Sequence, residues 1–482
     1  MYSPDKPYVV YDQEQRWKDG WDPLAYGQEF DFSRPFRVQF EELMKKVPLI
    51  NLIIWWSENC DYTNFTRGNK SSYLLFASDY NENCLFSSNI FHSKSVLDTL
   101  FVSHAENSYE CIDSENIYKC YFVQNCKESN NCYFCFDCVS CSYCIGCCNL
   151  RNKQYYYFNQ PISKEEFERK AAAIFDYKKE IQQQFQAFKL SQPHLYANVI
   201  NSENASGDYI FWAKNCQNCY DILQAEDCRN VSIGVNAKDC YGCIGVPNSK
   251  LMYESTASPE NTNMICCACI WPPSDNLLYC YSSVQSHNCF GCVSAKQNEY
   301  CILNKQYTKE QYEELVPKII EHMIKNGERW EFLPASIAPF GYNETVAMEY
   351  VSLEKEEALK KGFKWNDFEP PFPKVEKTLR ADELANIREI SDEILNQAII
   401  CEISGRPFKI IKWELEFYRK HNLPLPKRHP NQRHLDRMHL KNPRKLRERK
   451  CDKCWAEIKT SYSPERKEIV YCEVCYNKEV YW

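Results

Sequence analysis

The stretch CIDSENIYKCYFVQNCKESNNCYFCFDCVSCSYCIGCCNLRNKQYYYF, residues 111–158, decides the fold because it holds ten cysteines at regular spacing. Cysteines recur every six residues from Cys120 to Cys144, and a second series with the same step runs from Cys135 to Cys147. A six-residue step fits neither the 3.6-residue turn of a helix nor the two-residue alternation of a strand. It is typical of a chain that coils through equivalent positions, and it predicts a β-solenoid.

The same pattern extends over residues 51–162. Apolar positions such as Tyr73, Cys84, Cys120, Cys132 and Cys144 recur at steps close to 12 or its multiples. Asn, Asp and Ser cluster between them, often directly before a cysteine. Because these residues accept turn geometries, we expect them at the corners of each coil and the small apolar residues inside.

Residues 195–307 look like a second copy of this coil. A gap-free alignment at an offset of 145 residues brings identical residues into register, among them Cys144 with Cys289, Cys147 with Cys292 and Asn159 with Asn304. Each copy ends in a predicted amphipathic helix that begins at a capping box, at Ser163 in the first copy and at Thr308 in the second. We expect each helix to cover its own coil.

The sequence therefore predicts a mainly β protein with helices, built from duplicated cysteine-rich solenoid-like repeats and a C-terminal zinc ribbon. A helix over residues 36–46 is expected to cap the start of the first coil, and another is expected from Asp382 to Ala398. The predicted divisions are an N-terminal cap segment (1–50), two repeat domains with their helices (51–194 and 195–327), a mixed α/loop linker domain (328–400), and a basic region with the zinc ribbon (401–482).

The tail carries the most specific motif of the chain, Cys451-Asp-Lys-Cys454 followed by Cys472-Glu-Val-Cys475. Two close thiol pairs at this separation can place four thiolates around one zinc ion, each pair on a tight knuckle. Four thiolates leave no open coordination position, so we expect one structural zinc rather than a catalytic one. The residues between the two pairs are predicted to form a hairpin.

A basic stretch precedes this motif. Between Arg406 and Lys450 there are fifteen Lys and Arg residues and four acidic ones, a net charge of +11 in a chain whose net charge is −7. Such asymmetry indicates an anionic partner, either nucleic acid or the acidic remainder of the same chain. The residues predicted to contact the phosphates of RNA or DNA are Lys427, Arg428, Arg433, Arg437, Arg444, Lys445, Arg447 and Arg449.

The other cysteines leave alternatives open. Those of the coils can be buried packing thiols, ligands of metal or iron–sulfur clusters, or disulfides across the coil. In the tail, Cys401 with His429, His434 and His439 could form a second metal site. The start of the chain has no secretory pattern, and its longest apolar run is too short to span a bilayer, so we expect a cytoplasmic protein with reduced thiols.

Several segments together resemble an uncharacterised family of cysteine-rich, zinc-ribbon-tailed proteins of candidate-phylum bacteria with reduced genomes. They include the opening YDQEQRWKDGWDPLAYGQEF, the repeat closures NKQYYYFNQPISKEEF and LNKQYTKEQY, the segment APFGYNETVAMEY and the terminal CDKC and CEVC. The resemblance covers nearly the whole chain and implies the architecture and a bacterial cytosol, but no reaction. The resemblance implies that related tails can carry a further Cys pair where this chain has His429 and Gln432, and this departure argues against a second zinc ribbon here.

The sequence favours a non-enzymatic, zinc-containing binding or scaffold protein that contacts nucleic acid or a ribonucleoprotein through its basic tail. An enzyme that uses the cysteine ladders, through metal clusters or thiols, is the first alternative. A platform that binds protein partners along the repeat faces, without nucleic acid, is the second.

Overall fold

A computed structural model describes residues 2–329 and 331–481. It confirms a mainly β architecture with two solenoid coils, helices that follow each coil, and a C-terminal cluster of four cysteines. The two coils lie side by side. The N-terminal segment covers one end of the pair, and the tail contacts both coils.

Most turns of a coil take 12 residues, and a turn has four short sides. Glu115 pairs with Lys127 and Ser142 with Gln154 in parallel registers that are 12 residues apart. Every third residue is a corner with positive φ, for example Asp113 (49°) and Asn116 (51°). The residue after each corner points inward, so a turn buries four side chains. The six-residue cysteine step is therefore two sides of a four-sided coil.

This geometry explains why cysteine and serine fill the interior. The Cys120 Sγ lies 3.6 Å from the carbonyl oxygen of Tyr118, two residues back, and 3.5 Å from that of Ser129 in the next turn. The Ser114 hydroxyl donates in the same way to Ile112. A short side chain with one donor can thus bond to the backbone carbonyl groups that it meets inside the coil. It also fits where a longer polar side chain would not.

The first coil is one continuous sheet system of parallel ladders, closed by a short antiparallel hairpin between its last two strands. After β1 (Val10–Tyr11) and β2 (Leu49–Ile50) of the N-terminal segment, its strands β3 to β14 are Ile54–Trp55, Glu58–Asp61, Asn64–Arg67, Lys70–Asp79, Leu85–Phe91, Lys94–Leu97, Leu100–Tyr109, Ile112–Tyr118, Lys127–Asn130, Ser142–Ile145, Gln154–Tyr157 and Gln160–Pro161.

The second coil repeats this design and confirms the duplication. Asn159 closes the first coil by bonding both backbone groups of Cys148, and Asn304 does the same with Val293, at the offset of 145. After β15 (Pro193–Leu195), the strands β16 to β26 are Val199–Ile200, Gly207–Phe211, Cys219–Leu223, Ser232–Val235, Lys238–Tyr241, Lys250–Tyr253, Thr262–Ile265, Asp275–Leu278, His287–Phe290, Cys301–Ile302 and Lys305–Gln306.

Helices follow each coil and cover the aromatic side chains on the outside of its last turns. Phe167 packs against Tyr143 and Tyr155, and Tyr312 packs against Tyr300. Ser163 and Thr308 are the N-caps, as predicted. The chain forms two helices after the first coil and one after the second: α3 (Lys164–Ala172), α4 (Lys178–Leu190) and α5 (Lys309–Lys325).

The two coils run antiparallel. Trp55 of the first coil stacks on Trp271 of the second at 5.1 Å, and Arg67 forms an ion pair with Glu260. Farther along the first coil, the Tyr209 hydroxyl donates to Asn125 at 2.7 Å. Residue numbers therefore rise in one coil as they fall in the other, and the start of the first coil faces the end of the second.

The N-terminal segment caps a different coil from the one expected. Its helices are α1 (Gln13–Trp17) and α2 (Phe36–Lys46), with a 3₁₀ turn at Pro23–Tyr26. Phe36 packs against Tyr279 and Phe290, so α2 covers the last turns of the second coil and not the start of the first. The antiparallel packing places both coil ends together, which the sequence pattern of one coil does not reveal.

The region after α5 contains short elements, of which some pack on the first coil, whereas Ile337 packs at the end of the second coil. The predicted helix from Asp382 to Ala398 is wrong, because this segment has a 3₁₀ turn at Asp392–Asn396 and then a strand. Ile387, Ile394 and Ile399 are buried there although the backbone between them is not an α-helix. The elements are α6 (Val346–Tyr350), α7 (Lys355–Lys360), 3₁₀ turns at Ala335–Ile337 and Tyr342–Glu344, β27 (Thr378–Leu379), β28 (Ala398–Ile400) and β29 (Pro407–Phe408).

The tail completes the chain with α8 (Lys412–His421), α9 (Pro430–Leu440), β30 (Arg447–Lys450), β31 (Glu457–Thr460), β32 (Ile469–Tyr471) and α10 (Glu473–Val480). Among the described residues, no helix combines the length and apolar character needed to cross a membrane.

Candidate functional site

The four predicted zinc ligands come together in the tail. Cys451 and Cys454 lie on a knuckle between β30 and β31, whereas Cys472 is the N-cap of α10 and Cys475 lies in its first turn. All four sulfur atoms lie within 4.8 Å of one another, and those of Cys454 and Cys472 are 3.7 Å apart. Zinc–sulfur bonds of about 2.3 Å in a tetrahedron require sulfur–sulfur distances of about 3.8 Å. The cluster therefore fits a tetrahedral metal ion.

Backbone N–H groups around the knuckle also favour the ionised form of the Cys451 thiol. The Cys472 N–H points at the Cys451 Sγ at 3.2 Å. Burial opposes ionisation of Cys451, but backbone N–H groups of Cys472, Cys454 and Lys453 outweigh it and lower the pKa of this thiol to about 6. Since the thiolate is the metal-binding form, the protein backbone favours the state that binds metal.

The hairpin predicted between the two thiol pairs is wrong. β31 pairs instead with β30, on the other side of the first knuckle, and β32 adds in parallel to β15 near the start of the second coil. The Thr460 hydroxyl donates to the Tyr196 carbonyl at 2.6 Å, and Ser461 donates to Asp208 at 2.6 Å. The segment between the ligands thus attaches the metal ribbon, which we define as residues 447–480, to the second coil.

The same backbone arrangement occurs a second time, in residues 398–440, which we call the hydrogen-bonded ribbon. β28 and β29 form an antiparallel pair around Cys401, as β30 and β31 do around Cys451. The Cys401 N–H donates to Arg406 at 3.0 Å, and the Cys451 N–H donates to Ala456 at 2.8 Å. The residues before these acceptors, Gly405 and Trp455, have φ values of 67° and 64°.

The correspondence extends to the helices. The Glu402 N–H donates to the Lys427 carbonyl at 3.0 Å, and the Asp452 N–H donates to the Val470 carbonyl at 2.9 Å. Two residues after each of these acceptors stands the N-cap of the next helix, His429 for α9 and Cys472 for α10. Ser404, His429 and Gln432 therefore occupy the positions of Cys454, Cys472 and Cys475, and only Cys401 keeps a thiol.

In this second ribbon, hydrogen bonds involve the residues at the positions of the thiol ligands. The Ser404 N–H points at the Cys401 Sγ at 3.5 Å, and the His429 Nδ1 accepts from the Asn431 N–H at 3.1 Å. Of the other histidines considered for a second metal site, His434 forms an ion pair with Glu349 and His439 is exposed. Within residues 2–329 and 331–481, no group of three or more His, Cys, Asp or Glu side chains surrounds Cys401.

Most of the predicted phosphate-binding cations contact acidic groups of this chain. Five of the eight form ion pairs, with partners from both coils and from the tail itself. The pairs are Arg428 with Glu402 and Asp436, Arg433 with Asp98 and Glu414, Arg437 with Asp98 and Glu110, Arg444 with Asp221, and Arg449 with Asp452.

Two sets of ion pairs between the tail and the coils are deeply buried, one of them formed by Lys441, which is not among the predicted cations. Asp98, a corner residue of the first coil, has no exposed surface and contacts both Arg433 and Arg437 of α9. Lys441, at the end of α9, contacts Asp113 of the first coil and Asp221 of the second. Burial raises the pKa of Asp113 to about 6 even beside this ammonium group. The basic tail therefore ties the two coils together through corner aspartates.

Three of the predicted cations differ from the rest. Lys427 and Lys445 are exposed, and Arg447 is half-buried in β30. Over residues 2–329 and 331–481, no carboxylate lies at ion-pairing distance from any of the three.

The corner aspartates are functional residues that the sequence analysis missed. Since Asp and Asn both favour positive φ, the sequence pattern predicts only turns at these positions. The signal that distinguishes them is charge: Asp98, Asp113, Asp137 and Asp221 stand at corners where most other turns have Asn, Ser or an apolar residue.

Among the described residues, the cysteines of the coils are not grouped as metal ligands would be. All 29 cysteines are free thiols. In the part of the chain that the structure describes, the tail cluster is the sole group of metal-capable side chains of three or more. Burial raises the pKa of Cys84 and of Cys243 to about 12, so these interior thiols stay neutral.

No protein-family model matches the chain, and the search of curated proteins gave no significant match.

Proposed function

We propose that the protein is a non-enzymatic binding scaffold in which one structural zinc ion, held by Cys451, Cys454, Cys472 and Cys475, keeps the tail folded as a clamp on two antiparallel coils. The observation that carries this proposal is that the metal ribbon and the basic segment together contact both coils. Four thiolates supply zinc with its complete ligand set and leave no site for substrate.

The clamp has separate contacts with each coil. Tyr476, directly after the ligand Cys475, donates its hydroxyl to Asp137 of the first coil. β32, directly before the ligand Cys472, pairs with β15 at the entry to the second coil. Loss of the metal should therefore loosen both attachments, since the ligands and the contacts lie on the same short segments.

Metal removal tests this proposal. We expect about one zinc per purified chain, and we expect a strong chelator to expose residues 447–480 to limited proteolysis while the coils stay resistant. A chain that holds no zinc as purified, or that resists proteolysis equally with and without chelator, would contradict it. The Cys451→Ser variant serves as the genetic equivalent, and Cys401→Ser, at the corresponding position of the other ribbon, is its matched control.

Contact with RNA or DNA is our second candidate function, and the exposed Lys427 and Lys445 support it. The salt dependence of binding would measure how many cations take part. Eight phosphate contacts give a slope of log K against log salt of about −7, whereas three give about −3. We expect the smaller slope, because five of the eight cations already have carboxylate partners. A slope near −7 would contradict binding through only three cations, and no binding at low salt would contradict contact with RNA or DNA altogether.

A further inference from the structure

The two coils enclose a cleft of about 670 Å³ next to the metal ribbon. One wall is an outward ladder of the first coil, with one residue from each of six turns: Phe91, Ser103, Glu115, Lys127, Val139 and Arg151. The opposite wall is formed by Ile200, Phe211 and Leu223 of the second coil, and α10 closes one end with Tyr476 and Tyr481. The cleft is therefore a straight trough with one closed end.

The walls offer few partners for a peptide backbone. The N–H groups of Glu115 and Lys127 already donate to Cys126 and Cys138 of the next turn, each at 3.0 Å. The opposite wall is saturated in the same way, with Ile200 and Phe211 paired in a parallel ladder. A peptide in this trough would leave its own N–H and C=O groups without backbone partners, which is costly, whereas a hydrocarbon chain has no such groups.

Apolar side chains line much of the closed half of the trough, among them Val139, Leu195, Ala197, Val199 and Ile200. Its polar groups lie toward the closed end and include the Arg151–Asp137 pair, Glu473 and Asn477. Turns of a solenoid lie about 4.8 Å apart, so the two turns from Lys127 to Arg151 span about 10 Å. This length suits an extended acyl chain of medium length.

One cation stands at the inner edge of this apolar half. The Lys127 Nζ lies 4.4 Å from the centre of the Phe211 ring, so the side chain reaches across the trough. It does not pair with Glu115, its ladder neighbour one turn away, and within the described chain no carboxylate lies at ion-pairing distance from it. By contrast, Arg151 at the closed end is neutralised by Asp137.

We propose that this trough binds a single-chain amphiphile with a monoanionic carboxylate head, with the carboxylate on the Lys127 ammonium group and the acyl chain between Val139 and Ile200. Glu115 beside Lys127 disfavours heads with a second negative charge. The site is separate from the four-cysteine cluster, and its ligand is defined by the juxtaposition of apolar walls with Lys127, a cation without an ion pair among the described residues.

Isothermal titration calorimetry of the full zinc-loaded chain with decanoate, below its micelle concentration, and with decanol tests the proposal. The wild-type chain should bind decanoate more tightly than decanol at a stoichiometry near one. Lys127→Met keeps the apolar stem and removes the charge. It should weaken decanoate binding about tenfold or more, as for loss of a charged hydrogen bond, and leave decanol binding unchanged.

Two further variants keep the test decisive. Glu115→Gln should tighten decanoate binding, and Val139→Trp, which fills the apolar half from an outward-facing position, should abolish binding of both ligands. Equal affinity for decanoate and decanol, an unchanged ratio in Lys127→Met, or no saturable binding to a wild-type chain whose zinc content and circular dichroism are normal would overturn the proposal.

Discussion

The hydrogen-bonded ribbon and the metal ribbon share a backbone but have different interiors. Around the first, Phe408, Leu415, Tyr418 and Leu423 belong to a large apolar cluster that continues onto the first coil. Around the second, the cluster consists mainly of Ile458, Tyr462 and Val470. Small units with little apolar core need a metal or another cross-link to stay folded. The same knuckle and helix can therefore be kept folded in two ways. A large apolar core is sufficient around one ribbon, whereas the other, with a small core, requires a metal.

The two ribbons also dock on the first coil in corresponding ways. Arg433 of α9 and Tyr476 of α10 stand at the same position after their N-caps, and each binds a corner aspartate, Asp98 and Asp137 respectively. Docking on the coil is therefore common to both ribbons, whereas the set of metal ligands is complete only in one.

Loss of the metal should produce the largest difference between them. Structural zinc contributes about 10–16 kcal/mol in small zinc-binding peptides, far more than the apolar cluster of the metal ribbon could replace. In hydrogen exchange with mass spectrometry, chelation should remove protection from residues 447–480 and leave residues 398–440 protected. Equal loss in both segments would show that they depend on one another and not on their separate cores.

Restoring thiols should convert the hydrogen-bonded ribbon into a second metal site. In Ser404→Cys/His429→Cys/Gln432→Cys, four cysteines including Cys401 occupy the positions that bind metal in the other ribbon. Zinc content should rise from about one to about two per chain. The matched control adds Cys401→Ser to the same three changes and should stay near one. A folded triple variant that still holds one zinc would show that the backbone correspondence does not extend to ligand geometry.

Removing the corner aspartate that each ribbon contacts should destabilise the protein to a different extent, because one aspartate binds arginines and the other binds a tyrosine hydroxyl. Asp98→Ala leaves Arg433 and Arg437 buried without their shared carboxylate, which should cost about 3–5 kcal/mol in the free energy of unfolding. Asp137→Ala removes the acceptor of a neutral Tyr476 hydroxyl, but it also leaves Arg151 unpaired, so we expect a smaller loss. Urea denaturation of both variants gives the comparison, and an equal or larger loss for Asp137→Ala would contradict it.

Acid should affect the hydrogen-bonded ribbon through His429. Burial, with smaller effects of Arg406 and Arg433, lowers the pKa of His429 to about 4, so the folded state favours the neutral ring. The stability that the folded state gains from a neutral His429 ring is fully present above the unfolded pKa of about 6.5. It is lost as the pH falls from there toward 4. Because this ring is only half-buried, we expect the free energy of unfolding to be lower by about 1 kcal/mol at pH 5 than at neutral pH.

The variant His429→Asn isolates this effect, because asparagine keeps an N-cap acceptor but does not titrate. Its unfolding free energy should fall less between pH 7 and pH 5 than that of the wild-type chain. An identical pH dependence in the two proteins would assign the acid sensitivity to other groups.

Local spacing predicted much of the fold and the metal ligands. The cysteine step, the offset of 145 residues and the capping residues Ser163 and Thr308 all report contacts within one coil or one helix, which the sequence encodes directly. Cys451, Cys454, Cys472 and Cys475 were predictable for the same reason, since a knuckle is a local structure.

Contacts between distant segments were not predictable in this way. The antiparallel packing of the coils depends on outward residues such as Trp55 and Trp271, which follow no repeat. The predicted helix after Asp382 failed because Ile387, Ile394 and Ile399 are buried by packing on the first coil in a non-helical path. The basic tail looked like a nucleic-acid surface because its acidic partners, such as Asp98 and Asp221, lie hundreds of residues away.

Metal analysis of the purified full chain, combined with the same analysis of Cys451→Ser and Cys401→Ser, tests the central claim most directly. We expect about one zinc ion in the wild-type chain, about one in Cys401→Ser and none in Cys451→Ser. Zinc that survives in Cys451→Ser, zinc that is lost in Cys401→Ser, or a wild-type chain that contains iron or several metal ions would contradict it.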